Sequence, residues 1–567
     1  MSVPAAIFTH PEFADIDRHF ADFIDGFGEG ELPALAAAVL SRNIRKGHIC
    51  LDLATSPERS NEALPGFEWP NVETWRKAFA RNRAFGSPDD GLPLVLDKAG
   101  RLYLRRYWEY EKSLAQAILS RCDGRIFADS GTADLQRVAI EIALARRFMV
   151  ISGGPGTGKT TTVLKILEQM LGQPGYEKMR IALAAPTGKA AARLQETLNA
   201  GGMGSAVQKR LPKSASTLHR LLGSREGSIY FRHNAKNPLP VDLVVVDEAS
   251  MVPLTMMAKL FDALPTKARV ILLGDRDQLA SVESGAILGD IAEAASRPGS
   301  FLHGSLVVLR KNYRFGNESS IFKLCNAVRE GKADHAIEVL NTGERPDLCA
   351  DETPSPSQLV EKLRPQIIAG YSPYLRTSDP AEALREFSKF RVLCALRIGP
   401  YGVESLNRKI EEILREEGLI DRPQRAYPGL PILVTRNDYQ LRLYNGDIGI
   451  LLPDPANGSL LAWFIGPDGS LRHIPPARLP EYEAAFAMTV HKSQGSEFDN
   501  VLLLLPDKES PVLTRELVYT GLTRARSRVE VWFNESVLRA AIARRIQRGS
   551  GLGESLCRTS WQNAIEE

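Results

Sequence analysis

Residues 148–170, FMVISGGPGTGKTTTVLKILEQM, constrain this chain more than any other stretch. An apolar run is followed by G-x-x-x-x-G-K-[ST], filled by Gly153, Gly158, Lys159 and Thr160. Val163, Leu164, Leu167 and Leu171 then recur at helical spacing. The pattern predicts strand, phosphate loop and helix, because glycines let successive backbone N–H groups turn inward around an anion at a helix start. Gly153, Gly154, Pro155, Gly156, Thr157, Gly158, Lys159, Thr160 and Thr161 are therefore read as nucleotide-binding. Lys159 is placed to bridge the β- and γ-phosphates, and Thr160 to ligand Mg²⁺.

A chain of 567 residues, 44% hydrophobic and 25% charged, has room for several ordinary globular domains. Its 71 basic and 68 acidic residues give a net charge of +3, so a nucleic-acid site has to be a local groove rather than a basic face. Six cysteines without C-x-x-C spacing argue against a zinc site or disulfide framework and fit a reducing cytoplasm. The amino terminus lacks the pattern of an export signal, and no apolar run approaches the ~18 residues that a membrane-spanning helix needs. The expectation is a protein neither exported nor membrane-bound.

Residues 1–125 alternate amphipathic helix with Pro/Gly-rich turns and read as a small helical domain. From residue 126 short apolar strands alternate with helices, at 148–151, 180–184, 243–246, 270–273 and 306–309, predicting a buried parallel sheet over 126–335. A second series, at Phe390, Asn500 and Val529, predicts a second α/β sheet domain over 336–567. Between its strands the texture changes to short β-rich runs with Asn-Gly, Pro-Asp and Asp-Gly turns, which predicts a small antiparallel β-barrel inserted at 430–483. The fold class is α/β, with two parallel-sheet domains, an N-terminal helical domain and that barrel.

Asp247 and Glu248 end the run VDLVVVDEAS. A carboxylate leaving the carboxyl end of a buried strand faces the crevice where nucleotides bind, so Asp247 is read as a Mg²⁺ ligand and Glu248 as the group that polarises the attacking water. Gln278, after the next strand, is placed to sense the γ-phosphate. Tyr313 offers a ring to a base and Arg314 a guanidinium to a phosphate. Arg524, in LVYTGLTRARSRVEV, reads either as a surface charge or as an arginine finger from the second sheet domain. The Gln136 amide matches the N6/N7 edge of adenine, although such a residue taken alone is more often a solvated helix position. Lys189, His219, His491 and Lys492, with Thr187 and Thr489 beside them, are read as contacts to a nucleic-acid backbone crossing both domains, with ordinary exposed polarity as the alternative.

In order, GGPGTGKTTT, APTGKAAARL, VVVDEAS, LLGDRDQLASVESGA, NYR, VHKSQGSEFD and VYTGLTRARSR resemble the motifs of superfamily-one DNA helicases. The wording around them, TLHRLLG, NPLPVDLVVVDEASM and GDRDQLASVESGAILGD, is similar to the RecD family, the alpha subunits of exonuclease V. The resemblance runs from Gln136 to about Phe533. It implies two RecA-like motor domains, a small barrel in the second, and a β-hairpin pin near 224–240, for which residues 228–240 are the candidate. It also implies ATP-driven 5′→3′ translocation on single-stranded DNA, since motors of the opposite polarity usually carry large helical insertions at the corresponding places. By the family pattern Gln136 reads adenine, Tyr313 stacks on the base, Glu497 approaches the ribose, and Gln278, Arg314 and Arg524 contact the γ-phosphate. RecB-like and RecC-like partners in a heterotrimer, a nuclease in one of them and a role in double-strand break repair and recombination are further implications, and residues 1–125, with aromatic and apolar content but no dense basic stripe, are expected to dock a partner subunit rather than DNA. The short region before the phosphate loop favours a heterotrimer subunit over the longer stand-alone relatives. Charge and motifs leave RNA open as the track.

Overall fold

The computed structural model describes residues 10–557, apart from 29, 55–68, 123–133, 177, 201–207, 213, 226, 317–318, 344, 422–425, 439 and 467–468. The expected boundary near residue 125 and the Pro467-Asp468 turn lie outside these residues.

The first motor is a six-stranded parallel sheet in the order Leu306–Leu309, Phe148–Gly153, Arg269–Gly274, Leu243–Val246, Ile181–Ala185, Ser216–Thr217. Alternate side chains of a strand point to opposite faces, and both faces are buried. Phe148, Val150, Val244, Val246, Val270 and Leu272 enter one apolar cluster, and Met149, Ile151, Leu243, Val245, Ile271 and Leu273 enter another. Two-sided burial explains why the strands are continuously apolar rather than alternating. The second motor repeats the plan in the order Leu348–Glu352, Ala525–Phe533, Phe498–Leu504, Phe390–Cys394, Ala487–Thr489, all parallel. Its two edge strands are additions to the three strands expected from sequence.

Residues 431–484 form a five-stranded antiparallel sheet, in the order Leu471–Ile474, Leu460–Ile465, Ile448–Pro453, Pro431–Val434, Tyr482–Ala484. No pairing joins its two edge strands among the described residues, so the expected barrel is here an open sheet. Residues 228–240, expected as a hairpin, form no ladder. Single antiparallel bridges join Ser224 to Phe231 and Asn234 to Asn237. The amides of Arg232 and His233 are spent on the carbonyls of Gly223 and Leu222, at 2.9 and 3.0 Å, and Pro238 and Pro240 have none to give.

The N-terminal region has its helices, Asp15–Asp25, Glu31–Arg45, Val72–Phe79 and Arg105–Leu119, and in addition a four-stranded sheet, Cys50–Asp52, Arg101–Leu104, Leu94–Leu96, Phe85–Gly86. It is not an independent appendage. Helix Arg105–Leu119 packs on helix Leu254–Ala263 of the first motor, and Leu114 and Ile118 share one cluster with Met257 and Phe261. Arg121 donates to Ala268 O at 3.1 Å and Pro265 O at 2.9 Å. The chain's last described helix, Leu552–Cys557, returns to the same place, with Leu552 and Leu556 in that cluster and Gly551 N donating to the Glu111 carboxylate at 3.1 Å.

Each fully buried aliphatic side chain is worth roughly 1.5–3 kcal/mol, so stripping helix Arg105–Leu119 removes an amount comparable with a whole domain's net stability, roughly 5–15 kcal/mol. A chain lacking residues 1–125 is accordingly expected to aggregate on expression. Recovery of a soluble truncated chain with the far-UV spectrum of a folded motor would contradict that expectation.

Candidate functional site

Strand Phe148–Gly153 runs straight into the phosphate loop, and helix Lys159–Leu171 leaves it. Gly156 and Gly158 hold φ of 78° and 80°, the left-handed region where a side chain is strained. There is also no space for one. A Cβ on Gly156 would lie 2.6 Å from Arg314 Cβ, and one on Gly158 would lie 3.1 Å from Gln136 Nε2 and 3.6 Å from the Tyr313 ring. Gln136, Tyr313 and Arg314 thus close around the loop. Asn312 pins them, its Nδ2 donating to Pro155 O at 3.0 Å and its Oδ1 accepting from Arg314 N at 2.8 Å. The Thr157 hydroxyl donates to Gly154 O at 2.8 Å. Lys159 Nζ folds over the loop, donating to Gly153 O at 2.6 Å and Gly154 O at 3.1 Å. Thr160 is half-buried at the first turn and Thr161 is exposed. The Gln136 amide oxygen accepts from Lys165 Nζ at 2.8 Å, and Tyr313 stays 59% exposed, with Lys311 Nζ over its ring at 5.0 Å from the centroid.

Two strands away, Leu243–Val246 delivers Asp247 and Glu248. Glu248 has φ 51° and ψ 40°, one of two non-glycine residues in the left-handed region among the described residues. Such a conformation costs of order 1–3 kcal/mol and persists where the surroundings enforce it, commonly at active sites. Asp247 Oδ1 accepts from Glu248 N at 2.8 Å. Burial, and then the neighbouring Glu248 charge, push the Asp247 carboxyl up, while Lys159 and Arg193 pull the other way.

The second motor meets this site through the helix Arg515–Leu522 and the turn after it. Arg524 is 2% exposed, with Nε donating to Thr520 O at 3.1 Å, Nη1 to Ser496 O at 3.2 Å and Nη2 to Gln278 Oε1 at 3.1 Å. Gln278 Nε2 in turn donates to Asp275 Oδ2 at 3.1 Å, which also accepts from Tyr519 OH at 3.0 Å. A Cβ on Gly154 would lie 2.8 Å from that same Tyr519 hydroxyl, so the second motor touches the phosphate loop directly. Glu497 is engaged by arginines from both motors: Arg193 and Arg314, each at 2.7 Å, and Arg526 at 3.3 Å. Asp275, Tyr519, Arg193 and Arg526 were not singled out by motif reading. Arg193 lies inside the APTGKAAARL motif, which was the available signal.

The residues read as nucleic-acid contacts divide into three groups. Thr187 and Lys189 face the second motor. Lys189 Nζ lies 3.5 Å from Ser496 Oγ, and a Cβ on Gly495 would lie 3.5 Å from Thr187 Oγ1. Burial lowers the Lys189 pKa to about 8, against the pull of Asp447. Thr489, His491 and Lys492 form one turn, where the Thr489 hydroxyl accepts from Lys492 N at 3.3 Å and Lys492 Nζ reaches Asn445. His219 stands apart, edge-on to Phe231 at 5.9 Å.

Residues 10–103 match the family described as RecBCD enzyme subunit RecD, N-terminal domain, residues 136–284 match an AAA domain and residues 484–531 match the UvrD-like helicase C-terminal domain. The RecBCD enzyme subunit RecD of Mycolicibacterium smegmatis is 41% identical over 543 residues, covering 92% of this chain and 93% of that protein. The chain belongs to the RecD family. The Haemophilus influenzae RecD subunit is 37% identical, covering 86% of this chain and 85% of its own. The ATP-dependent RecD2 DNA helicase of Deinococcus radiodurans is 32% identical, but this RecD-family chain spans only 57% of it. The family likeness therefore extends into the N-terminal region, beyond the stretch where motifs had located it. No helix among the described residues is long and apolar enough to cross a membrane.

Proposed function

We propose that this chain is the ATP-driven, 5′→3′ DNA helicase subunit of a RecBCD-type helicase–nuclease, working with RecB-like and RecC-like partners in double-strand break repair and recombination. The observation that carries the reading is the meeting of two motors at one phosphate loop. Arg524 and Tyr519 of one motor bond Gln278 and Asp275 of the other within reach of Gly154, so hydrolysis and relative motion of the motors share the same atoms. The names of the relatives support the substrate and the assembly.

The chain's own groups fit ATP. Arg314 Nη1 is buried without a hydrogen-bond partner among the described residues, an orphaned cationic donor beside the loop. Paired carboxylates at a strand end, opposite a threonine at a helix start, are a hard-oxygen donor set suited to Mg²⁺. Thr160 and Asp247 would hold that ion, which when bound supplies positive charge to the phosphates. Lys159 leaves the loop carbonyls to neutralise the transferred phosphate. Glu248, already turned out of the regular backbone, orients the attacking water and takes its proton. Arg314 and Arg524 stabilise the charge that develops, and Gln278 ties Arg524 to the first motor. Gln136 and Tyr313 hold the adenine ring. Cytoplasmic placement accords with six cysteines that lack C-x-x-C spacing.

The test is ATP turnover by the full-length chain with and without single-stranded DNA. Stimulation of about tenfold or more is expected if the strand-binding and hydrolytic groups are coupled across the cleft. Equal rates with and without DNA would contradict the motor reading.

For partner docking, the best-supported surface is the outer face of helix Asp15–Asp25 and its continuation, where Ile16, Phe23 and Phe27 are 61%, 60% and 37% exposed. Exposed apolar clusters of this kind mark protein interfaces. Phe23→Asp should leave turnover of the isolated chain unchanged and weaken assembly by about tenfold or more. Undiminished co-purification with the partner subunits would place the docking surface elsewhere.

A further inference from the structure

Glu497 belongs to the second motor, yet its strongest partners belong to the first. Its side chain is 3% exposed, and a single oxygen, Oε2, accepts from Arg193 Nη2 at 2.7 Å, Arg314 Nη2 at 2.7 Å and Arg526 Nε at 3.3 Å. Arg193 projects from helix Gly188–Ala200, one turn on from Lys189, and Thr187 immediately precedes that helix. Burial raises the Glu497 carboxyl pKa, but the charges of Arg193 and Arg314 overcome this and hold it at about 2. Arg193 is itself partly desolvated, and Glu497, Glu248 and Asp247 together favour its charge.

We propose that Arg193 is a positioning residue for ATP hydrolysis: it keeps Glu497 paired across the cleft between the motors, so that Arg314 is free to turn from Glu497 to the phosphate. The inference rests on the reading of Arg314 given above. A desolvated carboxylate left without a partner is costly, far more than the loss of one of several partners. If Arg314 were the only close counter-charge, its departure would strand Glu497 with Arg526, whose contact is longer, 3.3 Å against 2.7 Å. With Arg193 in place, one 2.7 Å ion pair survives the transfer. The same pair ties the helix behind Lys189 to the second motor, so the partner that releases Arg314 also joins the two motors at the catalytic side of the cleft.

The test is steady-state ATP turnover by the full-length chain at saturating single-stranded DNA, together with binding of a fluorescent non-hydrolysable ATP analogue. Arg193→Gln should lower kcat by about tenfold, the effect of one charge-assisted hydrogen bond, with analogue affinity within about threefold. Arg193→Lys, which keeps the charge, should recover most of the loss. The deciding measurement is a double-mutant cycle. In a Glu497→Gln background there is no buried charge to strand, so Arg193→Gln should change kcat by less than about twofold.

The same tenfold loss in both backgrounds would overturn the proposal, because Arg193 would then act on nucleotide or on the fold rather than through Glu497. Wild-type turnover by Arg193→Gln would overturn it too. Arg314→Ala, measured alongside, separates this inference from the reading beneath it. A fast Arg314→Ala removes the role of Arg314 itself, whereas a slow Arg314→Ala beside a fast Arg193→Gln overturns only the positioning by Arg193.

Discussion

Lys159→Gln is expected to lower DNA-stimulated ATP turnover by about 10²–10³-fold, the loss that follows removal of one preorganised charge from a transferred group. The variant should otherwise be sound. Lys159 Nζ bonds only the carbonyls of Gly153 and Gly154 among the described residues, at a half-buried helix start, and its loss opens no core cavity. A glutamine amide can still donate to one of those carbonyls. The melting temperature should therefore stay within about 2 °C of wild type. Turnover within a few-fold of wild type would remove the assignment of the phosphate loop, and a large fall in melting temperature would show that the lysine has a structural role the geometry does not account for.

Arg524→Ala should cut kcat by about 10³-fold or more, in the range seen for arginine fingers elsewhere, with nucleotide affinity changed much less, because the guanidinium contributes mainly where transition-state charge develops. Here a second effect is superposed. Arg524 is buried, and its removal leaves the carbonyl of Ser496 and the amide oxygen of Gln278 short of a donor, at about 1–3 kcal/mol for an unsatisfied group, while Thr520 O keeps the Thr523 hydroxyl at 3.0 Å. Arg524→Lys separates the two. It keeps the charge but cannot span all three acceptors, so stability should recover more than kcat. Equal losses in kcat and nucleotide affinity for Arg524→Ala would mean a ground-state contact, and the finger assignment would fall.

Much of this site was legible in the sequence because its parts lie on consecutive strands and each part is local. The phosphate loop, the Asp247-Glu248 pair and Gln278 each follow an apolar strand, and the strands announce themselves by continuous Val, Ile and Leu. Elements at sheet edges were harder. Leu348–Glu352 is buried only in its first residues and ends in Asp-Glu, so nothing in its composition separates it from a loop. Ala487–Thr489 is three residues long, and the N-terminal strand Phe85–Gly86 only two, below the length at which an alternation can be seen. Residues 228–240 have turn chemistry that suits a hairpin, but their amides are taken by the end of the preceding helix, a tertiary competition that spacing does not reveal.

The same distinction holds within the site. Arg524 is read from its motif, but that it reaches Gln278, far away in the chain, is a property of how the motors pack. Arg193 and Tyr519 stand inside quoted motifs without distinguishing themselves there, since an arginine on an amphipathic helix and a buried tyrosine on another have ordinary explanations. Only the three guanidinium groups on Glu497, and the Tyr519 hydroxyl against Asp275, give them roles. The N-terminal region was opaque for another reason. Its core, built from residues such as Trp75, Phe79, Leu94 and Leu102, carries no chemistry for a motif to mark.

Strand separation on tailed duplexes tests the central claim most directly. Two motors closing on ATP can move in either direction, according to which grips the strand more firmly at each stage, so nucleotide chemistry alone does not fix polarity. In the 228–240 loop Ile229 and Tyr230 are exposed, and Phe231 packs edge-on to His219 of the first motor. With ATP, the full-length chain, or a complex in which only this motor is active, should open a duplex bearing a 5′ single-stranded tail and leave a 3′-tailed duplex closed, and Lys159→Gln should abolish the opening. Preferential opening of the 3′-tailed duplex, or opening that survives Lys159→Gln, would contradict the account.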